Sequence, residues 1–304
     1  MLRAFEHSGP KRSDIATHRI GISEILYGIG GAIVFLGIAI LIGQNWDTLG
    51  NGTKILATLG SGVASLIVGI LLGREEKLGG VSQAFYFISA LVMPTGLTIT
   101  LDIAGYAIYD TGSQSVISGI LLATYLLCYF LFRKNVFLFF NVIFGTWFFF
   151  SFTSHLVGGN PIMKDWDFFE YRTLLTGLTY MLLGYSFSET DKRGLTGALY
   201  GFGVMAFLGA ALALGKWEPN QNIFWELLFP GLVFSIIFLS IHLKSKAFLT
   251  FGSTYLMAYI LKITAEYFKD GLGWPLALVL AGFLLIGVGY YSFYLNKKYI
   301  TQRS

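Results

Sequence analysis

From residue 20 onward the chain alternates between long apolar runs and short polar breaks. Ten runs of roughly twenty residues fall near 22–42, 55–73, 82–105, 115–132, 136–155, 171–188, 194–214, 223–243, 247–267 and 274–295. Twenty residues is the length at which a helix crosses a hydrocarbon core of about 30 Å. A helix satisfies its backbone donors within the segment, so the pattern predicts an all-α membrane protein of about ten transmembrane helices. The first run follows nineteen polar, basic residues and has no small-x-small cleavage site at its end. It reads as a retained span, not a signal peptide.

The breaks carry a charge asymmetry. With the N-terminus placed on the cytoplasmic side, that side collects fifteen Lys and Arg residues, among them the pairs Lys11/Arg12, Arg133/Lys134, Lys192/Arg193 and Lys297/Lys298. The other side holds five: Lys54, Lys164, Arg172, Lys216 and Lys269. The positive-inside bias therefore puts both termini in the cytoplasm.

Similar segments recur along the chain. Allowing two one-residue gaps, Gly21–Asp47 and Gly194–Glu218 share Leu-Tyr-Gly-x-Gly, Phe-Leu-Gly and a Gly-x-Trp ending. LTITLD at 97–102 answers LKITAE at 261–266, and LLATYLL at 121–127 answers VLAGFLL at 279–285. These pairs predict a parallel 4+2+4 organisation: a first four-helix repeat over 21–134, a linking helical hairpin over 135–192 and a second repeat over 193–298. Residues 1–20 and 299–304 are then cytoplasmic tails.

Composition narrows the function classes. The chain is 55% hydrophobic and 12% charged, with a mean hydropathy of +0.65, against about 25% charged residues in soluble domains. A net charge of +4 spread over short loops is not a nucleic-acid footprint. One cysteine, Cys128, allows no intramolecular disulfide, and His7, His18, His155 and His242 are too scattered for a haem or metal cage. No cofactor motif is present. The His-Glu-x-x-His helix, the Gly-x-Ser-x-Gly elbow and the Cys-x-x-Cys pair are all missing, so no enzyme activity is expected.

The stretch GQNWDTLGNGTK, 43–54, is the polar turn after the first span. Trp46 suits a membrane interface, while Asn45 and Asp47 can bond backbone groups freed at a helix end. Lys216-Trp217-Glu218-Pro219 is the matching turn of the second repeat. With its glycine-rich first span, its Asn45-Trp46-Asp47 ending and a second glycine-rich span, the region from Gly21 to Gly73 resembles a prokaryotic group of predicted multipass membrane proteins, the domain-of-unknown-function family 2157. That resemblance implies a bacterial inner-membrane protein without a settled activity.

Chemistry is expected at ionisable residues inside spans, each of which costs about 2.5–3.5 kcal/mol at a helix centre on insertion scales. These are Asp102, Glu226, Lys262 and Glu266. Asp102 and Glu266 end equivalent helices of the two repeats, and Lys262 stands four residues before Glu266 on the same helix face. The spacing predicts an Asp102–Lys262–Glu266 cluster at the repeat interface. Polar stripes lead inward from it, Thr95 and Thr98 on one helix and Tyr255 and Tyr259 on the other. Pro94 and Pro230 each free a backbone carbonyl, those of Ala90 and Glu226.

Two readings follow. One is a transporter-like protein for a small solute, ion or proton with an outward-facing polar site. The other is a membrane scaffold or a subunit that binds a lipid or an unidentified protein partner. The lipid bilayer itself is the expected surrounding of both.

Overall fold

The computed structural model describes residues 40, 43–44, 46–159, 166–190, 192–218, 221–268 and 274–295. The expected first span at 22–42 and Asn45 therefore lie outside the described residues, Ile40 apart. Nine long helices and no strand occur among the described residues: α1 Asn51–Leu72, α2 Gly79–Ile103, α3 Thr111–Phe132, α4 Asn135–Leu156, α5 Trp166–Phe187, α6 Arg193–Leu214, α7 Ile223–Leu243, α8 Lys246–Phe268 and α9 Trp274–Leu295. They match the second to tenth apolar runs to within about five residues. Seven, α1–α4 and α6–α8, are long and apolar enough to cross a membrane. In α5 the first two turns carry Asp167, Glu170 and Arg172, which lower its hydropathy.

The helix ends have local causes. Asp110 caps α3, its Oδ2 accepting from the Gly112 N–H at 2.8 Å. The tight turns after α3 and α7 place Arg133 and Lys244 in the left-handed region, φ 55° and 49°. Their N–H groups donate to the carbonyls of Tyr129 and Ser240.

Two compact units divide the chain, one up to Ala57 and one from Thr58. In the first, Trp46–Thr48 forms a single 3₁₀ turn, and the Lys54 ammonium sits 5.2 Å from the Trp46 ring centroid. The second unit holds two apolar cores. One is built from α1–α4 around Tyr86, Leu121, Tyr125, Phe137 and Phe144. The other is built from α5–α8 around Tyr200, Leu208, Phe229, Val233 and Phe248. The two helices expected as a linking hairpin thus fall into different cores, α4 in the first and α5 in the second.

One kind of packing contact occurs in both cores. Glycine permits close helix approach under a tyrosine ring in both. A methyl group on Gly69 would meet Tyr86 at 2.8 Å, and one on Gly184 would meet Tyr200 at 2.7 Å. Tyr86 packs on Phe137 with centroids 4.6 Å apart, and Tyr200 on Phe248 at 4.9 Å.

Outside the cores, Leu91, Leu227, Phe283 and Ile286 are among many large apolar side chains left exposed. In a membrane protein that surface meets lipid.

Candidate functional site

α7 and α8 form a helical hairpin about the turn at Lys244–Ser245, and Glu226 and Lys262 stand almost equally far from it. They meet. Lys262 Nζ lies 3.3 Å from Glu226 Oε1 and 2.9 Å from Glu266 Oε2. The three side chains are 1%, 7% and 4% exposed. The spacing of Tyr259, Lys262 and Glu266 by three and four puts them on one face of α8. Tyr267 donates its hydroxyl to Glu226 Oε2 at 2.9 Å, and Lys262 also reaches the Gly215 carbonyl past the end of α6 at 3.5 Å.

Pro230 explains one further contact. It has no N–H, so the Glu226 carbonyl loses its helical donor. The Tyr259 hydroxyl donates to that carbonyl at 2.9 Å instead. The proline break and the charged centre are therefore one construction.

The charge count gives the centre its chemistry. One ammonium faces two carboxylates, and Glu266 Oε1 is buried with no hydrogen-bond partner among the described residues. An apolar surrounding disfavours the uncompensated negative charge. A proton or a small cation would complete it.

The expected cluster is corrected in one member. Among the described residues Lys262 pairs with Glu226 and Glu266, and Asp102 is not part of the group. Asp102 is exposed in the last turn of α2, a helix of the other core, while Glu226 belongs to the helix next to α8. The stripe on α2 also differs from a cavity wall. Thr95 is exposed, and Thr98 returns its hydroxyl to the Pro94 carbonyl at 2.9 Å. Tyr255, on the α8 stripe, donates to the Met205 carbonyl at 3.0 Å. In the turns, Asp47 and Trp217 are exposed, and Glu218 accepts from Gln221 at 2.7 Å.

Two charged contacts were not foreseen. Lys216, placed in a loop by its sequence neighbours, pairs with Asp167 and lies 3.6 Å from Glu170. The hydrogen bond to Asp167 pushes the Lys216 ammonium above its ordinary value of 10.5; burial opposes this and the Glu170 charge reinforces it. Arg172 is 4% exposed and donates through Nη1 to the Phe150 carbonyl, Thr153 Oγ1 and Ser154 Oγ, each at 2.9 Å, pinning α5 to α4. An earlier start for the sixth span would have placed Glu170, too, within a helix.

In the first core Ser151 shares a 3.1 Å hydrogen bond with Ser118, one turn along α3 from Ser115. Beside them opens a cavity of about 860 Å³. Asp110, Ser113 and His155 line one end, and Val116, Phe148 and Phe152 line the apolar part. Asp110 and His155 both face Gly112: a methyl group there would meet Asp110 Oδ2 at 2.7 Å and His155 Nδ1 at 3.2 Å.

Residues 3–115 match the family described as predicted membrane protein, domain of unknown function 2157, as the Asn45-Trp46-Asp47 turn implied. The match ends early in α3, so the charged centre lies outside it. No curated protein and no solved structure matches the chain.

Proposed function

We propose that this multipass membrane protein moves a small solute in exchange with, or together with, a proton or small cation. The observation that carries the reading is the contrast between the two cores. One holds an open cavity with a polar end, and the other a buried Glu226–Lys262–Glu266 centre short of one positive charge. Intramembrane ionisable groups mark ion and proton pathways by default. In this reading α1–α4 and α5–α8 are parallel halves of a duplicated fold, an arrangement that transporters use, and they replace 21–134 and 193–298 as the repeated units. In this reading, which the charge bias of the loops supports, both termini are cytoplasmic and the cavity opens to the outside of the inner membrane. No chemical transformation of the solute is involved.

A second reading has its own support. The Lys262 centre ties α6, α7 and α8 together, as a structural clasp in a scaffold protein would.

Thiol accessibility separates the two. In a Cys128→Ala background, single cysteines at Ser113, Val116 and Ala123 are probed from outside with a membrane-impermeant reagent. Ala123 lies about 15 Å along α3 from Ser113. Labelling that extends to Val116 and Ala123 supports a water-filled solute site. Labelling that stops at Ser113 leaves the scaffold reading.

A further inference from the structure

Two cavities flank Tyr180, away from the charged centre and from the 860 Å³ cavity. The first, of about 380 Å³, lies between α4 and α5 and is lined by Asn141, Thr146, Phe149, Thr176, Thr179 and Tyr180, among others. The second, of about 300 Å³, is lined by Phe139, Ile143, Leu195, Ala198 and Phe202 and shares Val142 and Tyr180 with the first. Both are within the size range of small-molecule sites. No charged side chain lines either.

Asn141 is the anomaly. It is 9% exposed, and neither its Nδ2 nor its Oδ1 has a hydrogen-bond partner among the described residues. Burying an amide without partners costs several kcal/mol in an apolar medium. A ligand that supplies both a donor and an acceptor removes the cost.

Depth restricts that ligand. The basic residues Arg133, Lys134, Lys192 and Arg193 flank the start of α4 and lie beyond the end of α5 on the same membrane face. Asn141 is about 9 Å along α4 from its start, and Tyr180 about 10 Å along α5 from its end. Both therefore sit below the headgroups, inside the hydrocarbon of one leaflet. A phosphate drawn to that depth without a cationic partner would be strongly disfavoured.

We infer that this pair of cavities binds a neutral glycerolipid of the diacylglycerol class. Its free hydroxyl donates to Asn141 Oδ1, and an ester carbonyl accepts from Asn141 Nδ2. Its two acyl chains pass on either side of Tyr180, one in each cavity, and emerge into the bilayer. Tyr180 is held in place by the Thr146 hydroxyl, 2.5 Å from its own. A quinone offers only acceptors and leaves Oδ1 unpaired, and a phospholipid brings its charge too deep. The inference does not depend on the charged centre or on transport.

The test uses the full chain in nanodiscs with a photoactivatable diacylglycerol. The proposal expects cross-links on α4, α5 and α6 that unlabelled diacylglycerol displaces and that phosphatidic acid and an isoprenoid quinone do not. Asn141→Leu should reduce labelling at least ten-fold. Ala198→Phe, at an exposed position of the apolar cavity, should reduce it several-fold with the amide intact, and decides the matter if Asn141→Leu does not fold. Equal labelling of wild type and Ala198→Phe overturns the proposal. So does displacement by phosphatidic acid or quinone as effective as that by diacylglycerol.

Discussion

Replacing Lys262 with methionine removes the only positive charge of the buried centre and leaves two carboxylates facing each other. The ammonium sits 2.9 Å from Glu266 and 3.3 Å from Glu226, with all three side chains less than a tenth exposed. At an effective dielectric of about 20, a unit charge pair at 4 Å interacts by about 4 kcal/mol. Removing one partner of a buried pair costs about 3–5 kcal/mol, because the remaining charge is left uncompensated. Two carboxylates remain here, so Lys262→Met should fall near the upper end. Adding Glu226→Gln and Glu266→Gln removes the stranded charge, and the triple variant should regain most of the loss. Unfolding in mixed micelles by titration with sodium dodecyl sulfate, followed by far-UV circular dichroism, measures both. A cost below about 1 kcal/mol for the single variant, or a triple variant no more stable than the single, refutes the argument.

Other residues give sharper local tests. Tyr259→Phe strands the Glu226 carbonyl and should cost about 1–3 kcal/mol; in a Pro230→Ala background, where residue 230 regains an N–H, the same change should cost much less. Gly96→Ala should cost about 1–3 kcal/mol, since the added methyl meets the Leu59 backbone at 2.5 Å, while Gly80→Ala, with nothing within 4 Å, should not. For Lys216 the raised folded value means that the stability of its link to Asp167 and Glu170 is fully present below 10.5 and is lost as pH rises through the folded value. The difference in thermal midpoint between wild type and Lys216→Met should therefore hold constant from neutral pH to about pH 9 and shrink at higher pH. A difference that shrinks below that point counts against the assignment.

The helices were legible because lipid leaves few alternatives to them: runs of apolar residues bounded by Lys, Arg, Gly or Asn set the ends of α1–α9 to within about five residues. The partner of Lys262 was less so. Lys262 and Glu266 share a helix face by spacing alone, but a third member from another helix depends on which helices pack together. Asp102 looked equivalent to Glu266 under a repeat matched by short glycine- and leucine-rich segments. The hairpin about Lys244–Ser245 favoured Glu226 on simple geometry, because consecutive antiparallel helices pack and residues equally far from the turn lie level. The contacts that build the two cores, such as Tyr86 with Phe137 and Tyr200 with Phe248, join residues far apart in sequence, and no local pattern announces them. Asn141 illustrates the same limit. In the sequence it is one polar residue in a phenylalanine-rich helix, and only the packing shows that its amide has no partner.

Flux through reconstituted protein tests the central claim most directly. Proteoliposomes loaded with a pH-sensitive dye are given a potassium diffusion potential, and proton entry is compared for wild type, Glu226→Gln and Glu266→Gln. The account predicts wild-type entry well above protein-free liposomes and a fall of at least ten-fold in each variant. Dye traces no faster than those of empty liposomes, across a panel of small solutes on the cavity side, would contradict transport and leave the Lys262 centre as a clasp between helices.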